Sequence, residues 1–261
     1  MSATVDPAKV ALVTGSASGL MRGVCIALAR RGYSIGANFR APRLNCDETL
    51  QAVRAAAPHA RAEAFEADVS DAKAATHLVH SVHDTLGGPH VLVCGAGPMI
   101  VKDAITSSLQ DYETMLHGNV GSVFFTVTAA LPAMREQHFG RIITFGMTGS
   151  DSAMGFRHLS LYAAAKAAVV AFTRSLALEE AQHGITCNAI DVGDIRDKEA
   201  QRSDALERRD YRNPTMRPGS WEDVGDAVAY LASAEASFVN GSVLTVNGGW
   251  QGFFAEYSRW P

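Results

Sequence analysis

The stretch that most restricts the fold is the first regular one. Lys9-Val10-Ala11-Leu12-Val13-Thr14 is a short apolar run with no polar alternation. Such a run reads as a parallel strand buried on both faces. Gly15-Ser16-Ala17-Ser18-Gly19 follows, then a helical pattern from Leu20 to Arg31. A strand, a glycine turn and a helix N-terminus present backbone N–H groups and a positive helix end to a phosphate. A plain βα turn also contains glycine. The place of this turn, first in the chain and directly after the first strand, favours phosphate binding.

The same unit recurs along the chain. Strands are expected at Tyr33–Phe39, Ala62–Glu66, Val91–Cys94, Arg141–Phe145, Ile185–Ile190 and Val243–Val246. Helices are expected at Leu44–Ala57, from a Ser70-Asp71 cap to about Leu86, from about Leu109 to Met134, and from Leu161 to about Gln182. The alternation predicts an α/β fold, a Rossmann-type doubly wound parallel sheet of about seven strands with helices on both faces. Residues 1–261 are long enough for one such domain with a substantial core, and no linker or repeat divides them.

Bulk properties narrow the function. A hydrophobic share of 47% with 19% charged residues is a soluble globular composition. The net charge of −4 argues against nucleic acid or an anionic membrane as the main partner. Cys25, Cys46, Cys94 and Cys187 are scattered, so no metal site is expected and a reducing, cytoplasmic setting fits. Met1 to Ala8 is short and polar, unlike a signal peptide. No apolar run approaches ~18 residues, so no membrane span is expected.

Two places carry candidate chemistry. In a dinucleotide fold, the end of the second strand meets the adenosine ribose. Here that end is Asn38-Phe39-Arg40, with no carboxylate and one cation. Arg40, with Arg43 nearby, could meet a 2′-phosphate, which favours NADP(H) and leaves NAD(H) open. Further on, Tyr162 and Lys166 stand four apart on one helical face. An isolated tyrosine has a pKa of ~10. A neighbouring ammonium lowers it and makes the pair a proton donor or acceptor for an alcohol/ketone couple. The bare spacing arises easily by chance; the surrounding motifs give it meaning.

In order and spacing these features resemble the short-chain dehydrogenase/reductase family, from Val10 to Gly249. Thr14-Gly15-Ser16-Ala17-Ser18-Gly19 matches most of its glycine motif, and Asp68-Val69 looks like its adenine-contacting pair. Ala96-Gly97 matches the end of its Asn-Asn-Ala-Gly motif. Asn119 sits at its catalytic asparagine, and Tyr162-Ala163-Ala164-Ala165-Lys166 is its Tyr-x-x-x-Lys signature. Arg217-Pro218-Gly219, Asp223-Val224, Phe238-Val239-Asn240-Gly241 and Val246-Asn247-Gly248-Gly249 are like its ending. The resemblance implies an NADP(H)-dependent oxidoreductase acting on a carbonyl or secondary alcohol. Tyr162 would pass the proton; Lys166 would lower its pKa and hold the nicotinamide ribose; Asn119 would interrupt its helix and hold a relay water. Cofactor contacts would come from Gly15, Ser16, Ser18, Gly19, Leu20, Phe39, Arg40, Asp68, Val69, Ala96, Gly97, Gly193 and Ile195, with Tyr162 and Lys166. A homo-oligomer, tetramer or dimer, is implied as well.

The chain departs from the family around the same site. The third glycine of the first motif is Met21, the two asparagines before Ala96 are Cys94 and Gly95, and the proline after the sixth strand is Val192. The catalytic serine position, counted from the fifth strand, falls on Met147; counted back from Tyr162 it falls on Gly149 or Ser150. A thioether is a poor partner for a substrate carbonyl. Thr148, Ser150 and Ser152 are the candidates to supply that hydroxyl, Thr148 and Ser150 foremost. The charge-rich segment from 194 to 220 would cover the substrate, Phe156-Arg157-His158-Leu159 would line the pocket, and the aromatic tail 250–261 would pack on a neighbouring subunit or close a pocket. Two other readings stay open: a dinucleotide-binding sensor or structural protein with little redox activity, and a non-redox dehydratase or isomerase on the same fold.

Overall fold

The computed structural model describes residues 9–40, 43–193, 195–211 and 213–250. Seven parallel strands make one sheet in the order β3-β2-β1-β4-β5-β6-β7. They are β1 (Val10–Val13), β2 (Ser34–Phe39), β3 (Ala62–Glu66), β4 (Val91–Cys94), β5 (Gly140–Met147), β6 (Ile185–Val192) and β7 (Val243–Val246). The helices are α1 (Gly19–Arg30), α2 (Arg43–Ala56), α3 (Ala72–Leu86), α4 (Leu109–Met115), α5 (Ser122–Glu136), α6 (Ser160–Glu180), α7 (Arg202–Glu207) and α8 (Trp221–Ala232). The doubly wound parallel sheet expected from the alternation is present.

Strand periodicity sorts the core into two layers. Ala11 and Val13 face one side, packing with Val24 and Leu28 of α1, Val53 of α2 and Val224 and Val228 of α8. Val10 and Leu12 face the other, packing with Leu78 and Val82 of α3, Val127 of α5 and Val169 and Leu176 of α6. Each fully buried Leu or Ile, such as Leu12, Leu92 and Ile142, contributes ~1.5–3 kcal/mol relative to exposure. Both faces being covered explains why β1 and β4 read as unbroken apolar runs. By length and composition alone, the segment Ser160–His183 would pass for a membrane-crossing helix. Val169, Val170, Leu176 and Ala177 are buried against the sheet, which makes it a core helix.

Two details differ from the expected elements and both bear on the site. β5 and β6 pair from Gly140↔Ile185 through to Met147↔Val192, two residues past where the apolar runs stop. The expected helix from Leu109 to Met134 is instead α4 and α5 joined by a π-helical turn, Leu116–Gly121, with Asn119 buried in it. Such a turn interrupts the regular ladder and is frequent at functional sites. The α4 start is held by a capping box, Ser108 with Asp111.

Candidate active site

A cavity of about 1190 Å³ lies along the C-terminal ends of the strands. It spans the place where the chain order reverses between β1 and β4, the usual ligand crevice of an open α/β sheet. Its wall includes Gly15, Ser18, Gly19, Leu20, Arg40, Asp68, Val69, Ala96 and Gly97 at one end, and Tyr162, Lys166, Gly193 and Ile195 at the other.

The glycine turn is built from both sides. Gly15 and Gly19 have φ of +68° and +60°, a region that side-chain-bearing residues rarely enter. Gly15 also lies so close to Ala96 that an added Cβ would sit 3.0 Å from its Cα. Thr14 ties the two loops together, its Oγ1 accepting from the Ala96 N–H at 3.1 Å. Beneath the turn, buried Asn38 accepts the Gly15 N–H through Oδ1 at 3.2 Å, while its Nδ2 donates to the carbonyls of Phe65 and Ala67. Asn38 therefore couples β2 and β3 to the turn.

Charge gathers at two points of the cleft, beside the glycine turn and at the β2 end. The Gly19 N–H donates to Oε1 of Glu199 at 2.8 Å, and Arg22 donates to Oε2 at 3.3 Å. A carboxylate thus rests on the first N–H of α1, where an anion is favoured by unpaired donors and the helix dipole. At the β2 end, Arg40 reaches Oδ2 of Asp68 at 3.3 Å with most of its side chain exposed. Burial pushes the Asp68 carboxyl up, but hydrogen bonds from Ser70 and Arg40 outweigh it and hold it below the usual carboxylate range.

The other end holds the proton-transfer candidates. Lys166 is buried and donates from Nζ to the Phe145 carbonyl at 2.9 Å. Burial pushes its ammonium down to about 8, with Asp191 and Cys94 opposing the shift. Its Nζ stands 5.6 Å from the Tyr162 ring centroid. The Tyr162 phenol is pushed up to about 12 by burial, where the sequence led us to expect a lowered value. Desolvation disfavours the phenolate more than an ammonium engaged elsewhere can favour it. Near neutral pH the phenol is protonated and poised to donate. Asn119 gives both Nδ2 protons away, to Pro98 and Met115 carbonyls at 3.0 Å each, and its buried Oδ1 has no protein partner.

Several expected contacts lie elsewhere. Ser16 is fully buried under the turn and its hydroxyl donates to the Asn38 carbonyl, and Phe39 is buried in the α1–α2 core layer; neither lines the cavity. Thr148 and Ser150, proposed from sequence to replace the missing serine, are buried and off the wall. The Thr148 hydroxyl points to the Val192 carbonyl at 3.4 Å, and Ser150 Oγ accepts the Met147 N–H at 2.8 Å. The reason is the longer β5, which carries the strand past the serine position before the loop turns. Met147 itself lines the cavity, as does Met21. His158 is not on the wall; it pairs with Asp103 at 2.6 Å, pinning the loop before α6. From 194 to 220, Ile195, Arg196 and Lys198 reach the wall, while Asp194 and Arg212 are outside the described residues. Arg43 has no described side chain, and the tail beyond Trp250 also lies outside. Sequence reading placed Glu199 only within the charge-rich segment from 194 to 220 and gave Asp191 no role of its own; a carboxylate whose partners are distant in sequence leaves no local signal.

The cleft accords with what the chain is similar to. Residues 15–251 match the family described as enoyl-(acyl carrier protein) reductase. The 3-oxoacyl-(acyl-carrier-protein) reductase FabG of Staphylococcus aureus (strain Mu50 / ATCC 700699) is 31% identical over 245 residues, 92% of this chain and 97% of that protein. The 2-dehydro-3-deoxy-D-gluconate 5-dehydrogenase of Dickeya dadantii (strain 3937) is 34% identical over 248 residues, 93% and 95% of the two chains. A blue fluorescent protein from a metagenomic library, solved in complex with NADPH, superposes with a TM-score of 0.81 at 30% identity, covering 94% of this chain and 98% of that one. Glycine turn, Tyr-x-x-x-Lys helix and parallel sheet share one cleft, and the relatives match over nearly the whole length: the chain belongs to the short-chain dehydrogenase/reductase family and is an NAD(P)-dependent oxidoreductase.

Proposed function

We propose that this chain is an NADPH-preferring reductase of a small carbonyl substrate, with the corresponding secondary alcohol as product. The observation that carries the reading is that Tyr162, Lys166 and the glycine turn all line one cavity. The cleft suits a dinucleotide: its volume is ample, and a carboxylate already sits on the Gly19 N–H as a stand-in anion. Gly15, Ser18, Gly19 and Leu20 would hold the pyrophosphate, Asp68 and Val69 the adenine, and Ala96, Gly97, Gly193 and Ile195 the nicotinamide half. Arg40, exposed at the mouth, would meet the 2′-phosphate. The NADPH complex of the metagenomic relative is in keeping with that preference.

When bound, the nicotinamide supplies the hydride. Tyr162 then donates its proton to the substrate oxygen, a role suited to a phenol held protonated by burial. Lys166 holds positive charge beside the phenol and stabilises the phenolate left behind. The Asn119 Oδ1 offers an acceptor for a water that returns the proton from solvent. With Met147 in the serine position, the substrate oxygen relies on Tyr162 as its side-chain donor. Losing one such donor costs ~10²–10³ in rate, which slows the reaction without abolishing it. Ile195, Arg196 and Lys198 of the charge-rich segment would face the substrate.

The protomer also exposes an aromatic face: Phe124 on α5 is half exposed and stacks edge-on with Phe125 and with Phe172 of α6. This supports self-association as a dimer or tetramer through the α5–α6 face. The four cysteines are buried and none forms a disulfide, which suits a reducing, cytoplasmic setting. Loss of NADPH absorbance with a panel of ketones tests the activity, and thermal shifts with NADPH against NADH test the preference without turnover. Equal shifts with both cofactors would remove the NADPH assignment; no turnover with any ketone would remove the reductase assignment.

A further inference from the structure

Asp191 is a buried carboxylate to which the family resemblance gives no role. It stands on β6 directly opposite Gly146 of β5. Its Oδ1 lies where a side chain at 146 would begin, 2.1 Å from an ideal Cβ, so glycine is required there. That oxygen is buried and has no hydrogen-bond partner. Oδ2 accepts the Asp151 N–H at 3.4 Å, the start of the loop that follows β5. Gly146 itself lines the cavity, and the carbonyl just before it, on Phe145, is the one that anchors Lys166 Nζ. A buried anion and a buried cation therefore lie against the same stretch of the cavity wall, Asp191 beside Gly146 and Lys166 on the Phe145 carbonyl.

We propose that Asp191 is a positioning residue: it acts through Lys166, keeping that ammonium charged in the dry wall of the site, and it fastens the loop after β5 to β6. The proposal rests on Lys166 being the active-site lysine. Groups facing Asp191 come from each packed element. From α6 they are Lys166 and Arg174; from the loop, Asp151 and Ser150; the Cys94 thiol of β4 faces Lys166. Arg174 and Asp151 form a half-exposed ion pair with each other. That leaves Asp191 as the buried counter-charge to Lys166 among the described residues. Burial holds Asp191 up, to about 6, so it is ionised at neutral pH and neutral in mild acid. An opposite charge this near favours the charged form of a lysine.

The test follows Lys166 directly. The chain has five lysines, so protein labelled at lysine Cε gives few resonances, and Lys166→Arg assigns the one of interest. In the unaltered protein this resonance is expected to titrate at about 8, because burial pushes the ammonium down. In Asp191→Asn its midpoint falls by about one pH unit, and with ketone the alkaline limb of kcat moves down by the same step while KM holds. A folded Asp191→Asn protein with an unshifted Lys166 midpoint overturns the proposal. Should that variant fail to fold, Asp151→Asn changes only a half-exposed carboxylate. There Asp191 loses a like charge, and the acid inflection sensed by Lys166 moves to lower pH; an unmoved inflection overturns the proposal equally. The titrations need neither cofactor nor substrate, so their failure is separate from failure of the NADPH-reductase reading.

Discussion

Met21 and Gly95 look like two independent losses, a glycine gained a side chain and an asparagine lost one, yet they occupy a single space. An ideal Cβ on Gly95 would fall 2.0 Å from Met21 Sδ, 2.4 Å from its Cγ and 2.9 Å from the Thr14 carbonyl oxygen. Met21 is 8% exposed and packed in the α1–α2 core layer, so it has little room to swing; the Thr14 oxygen is fixed by the strand. Gly95→Ala is therefore an overpacking change, expected to cost ~1–3 kcal/mol. For a chain of this size that is about 2–4 °C in Tm per kcal/mol. Met21→Ala leaves a void instead, ~2–5 kcal/mol for a buried Met, and the low end is expected because Met21 borders the open cavity. In the double variant the new methyl enters the space Met21 has left, so the two costs do not add; a coupling of ~1–2 kcal/mol is expected. Urea unfolding of the four proteins at equal protomer concentration measures it. Strict additivity would show that the two positions do not share the space. A second pair, Gly95→Asn alone and with Met21→Gly, recreates the family pattern, and the combined variant should bind dinucleotide where the single one is impaired.

Three other outcomes follow from the site. Tyr162→Phe should lower kcat for ketone reduction by ~10²–10⁴ while leaving NADPH affinity unchanged; a retained kcat would remove Tyr162 as the donor. Arg40→Ala should weaken NADPH by ~3–10-fold and spare NADH, a modest effect because the arginine is largely exposed and screened; equal losses for both cofactors would count against a 2′-phosphate contact. Glu199→Gln should tighten both dinucleotides by ~3–10-fold, because a charge-assisted bond to the Gly19 N–H no longer has to be displaced. Isothermal titration reads it, and weaker binding would mean that Glu199 helps to hold the cofactor.

What could be read from sequence followed from strong local physics. β1 and β4 are legible because strands covered on both faces are continuous apolar runs. The start of α3 is legible because Asp71 caps it, accepting the Ala74 N–H at 2.8 Å. The ends of β5 and β6 were not, since Gly146, Met147 and Asp191 carry no strand pattern and are held by pairing, Gly146 with Asp191 and Met147 with Val192. That extension alone moved Thr148 and Ser150 behind the wall. The contact made by Glu199 was invisible because that residue lies 180 residues from the N–H it covers, and no spacing rule spans that distance. The Tyr162 shift had the wrong sign because a four-residue spacing says nothing about burial.

The departures from the family take on a different meaning once they are paired. Met21 fills the volume that Gly95 vacates. Gly146 makes the room that Asp191 needs. Met147, without a hydroxyl of its own, has its N–H satisfied by Ser150 from the lengthened loop. Random decay of a cofactor site would leave voids, clashes and unpaired N–H groups, each costing free energy on its own. Here large residues face small ones and the exposed backbone donor is covered. The groups proposed for proton transfer, Tyr162 and Lys166 on one turn of α6, still reach the cavity. Under the roles proposed for Tyr162 and Lys166, a wall repacked around them would suit an oxidoreductase with altered substrate demands, because Met147 would offer the substrate oxygen an apolar contact in place of a polar one. Bulkier, more apolar ketones should therefore be favoured over small hydroxylated ones, and Met147→Ser should reverse that order; an unchanged ranking across a ketone panel would separate Met147 from substrate choice.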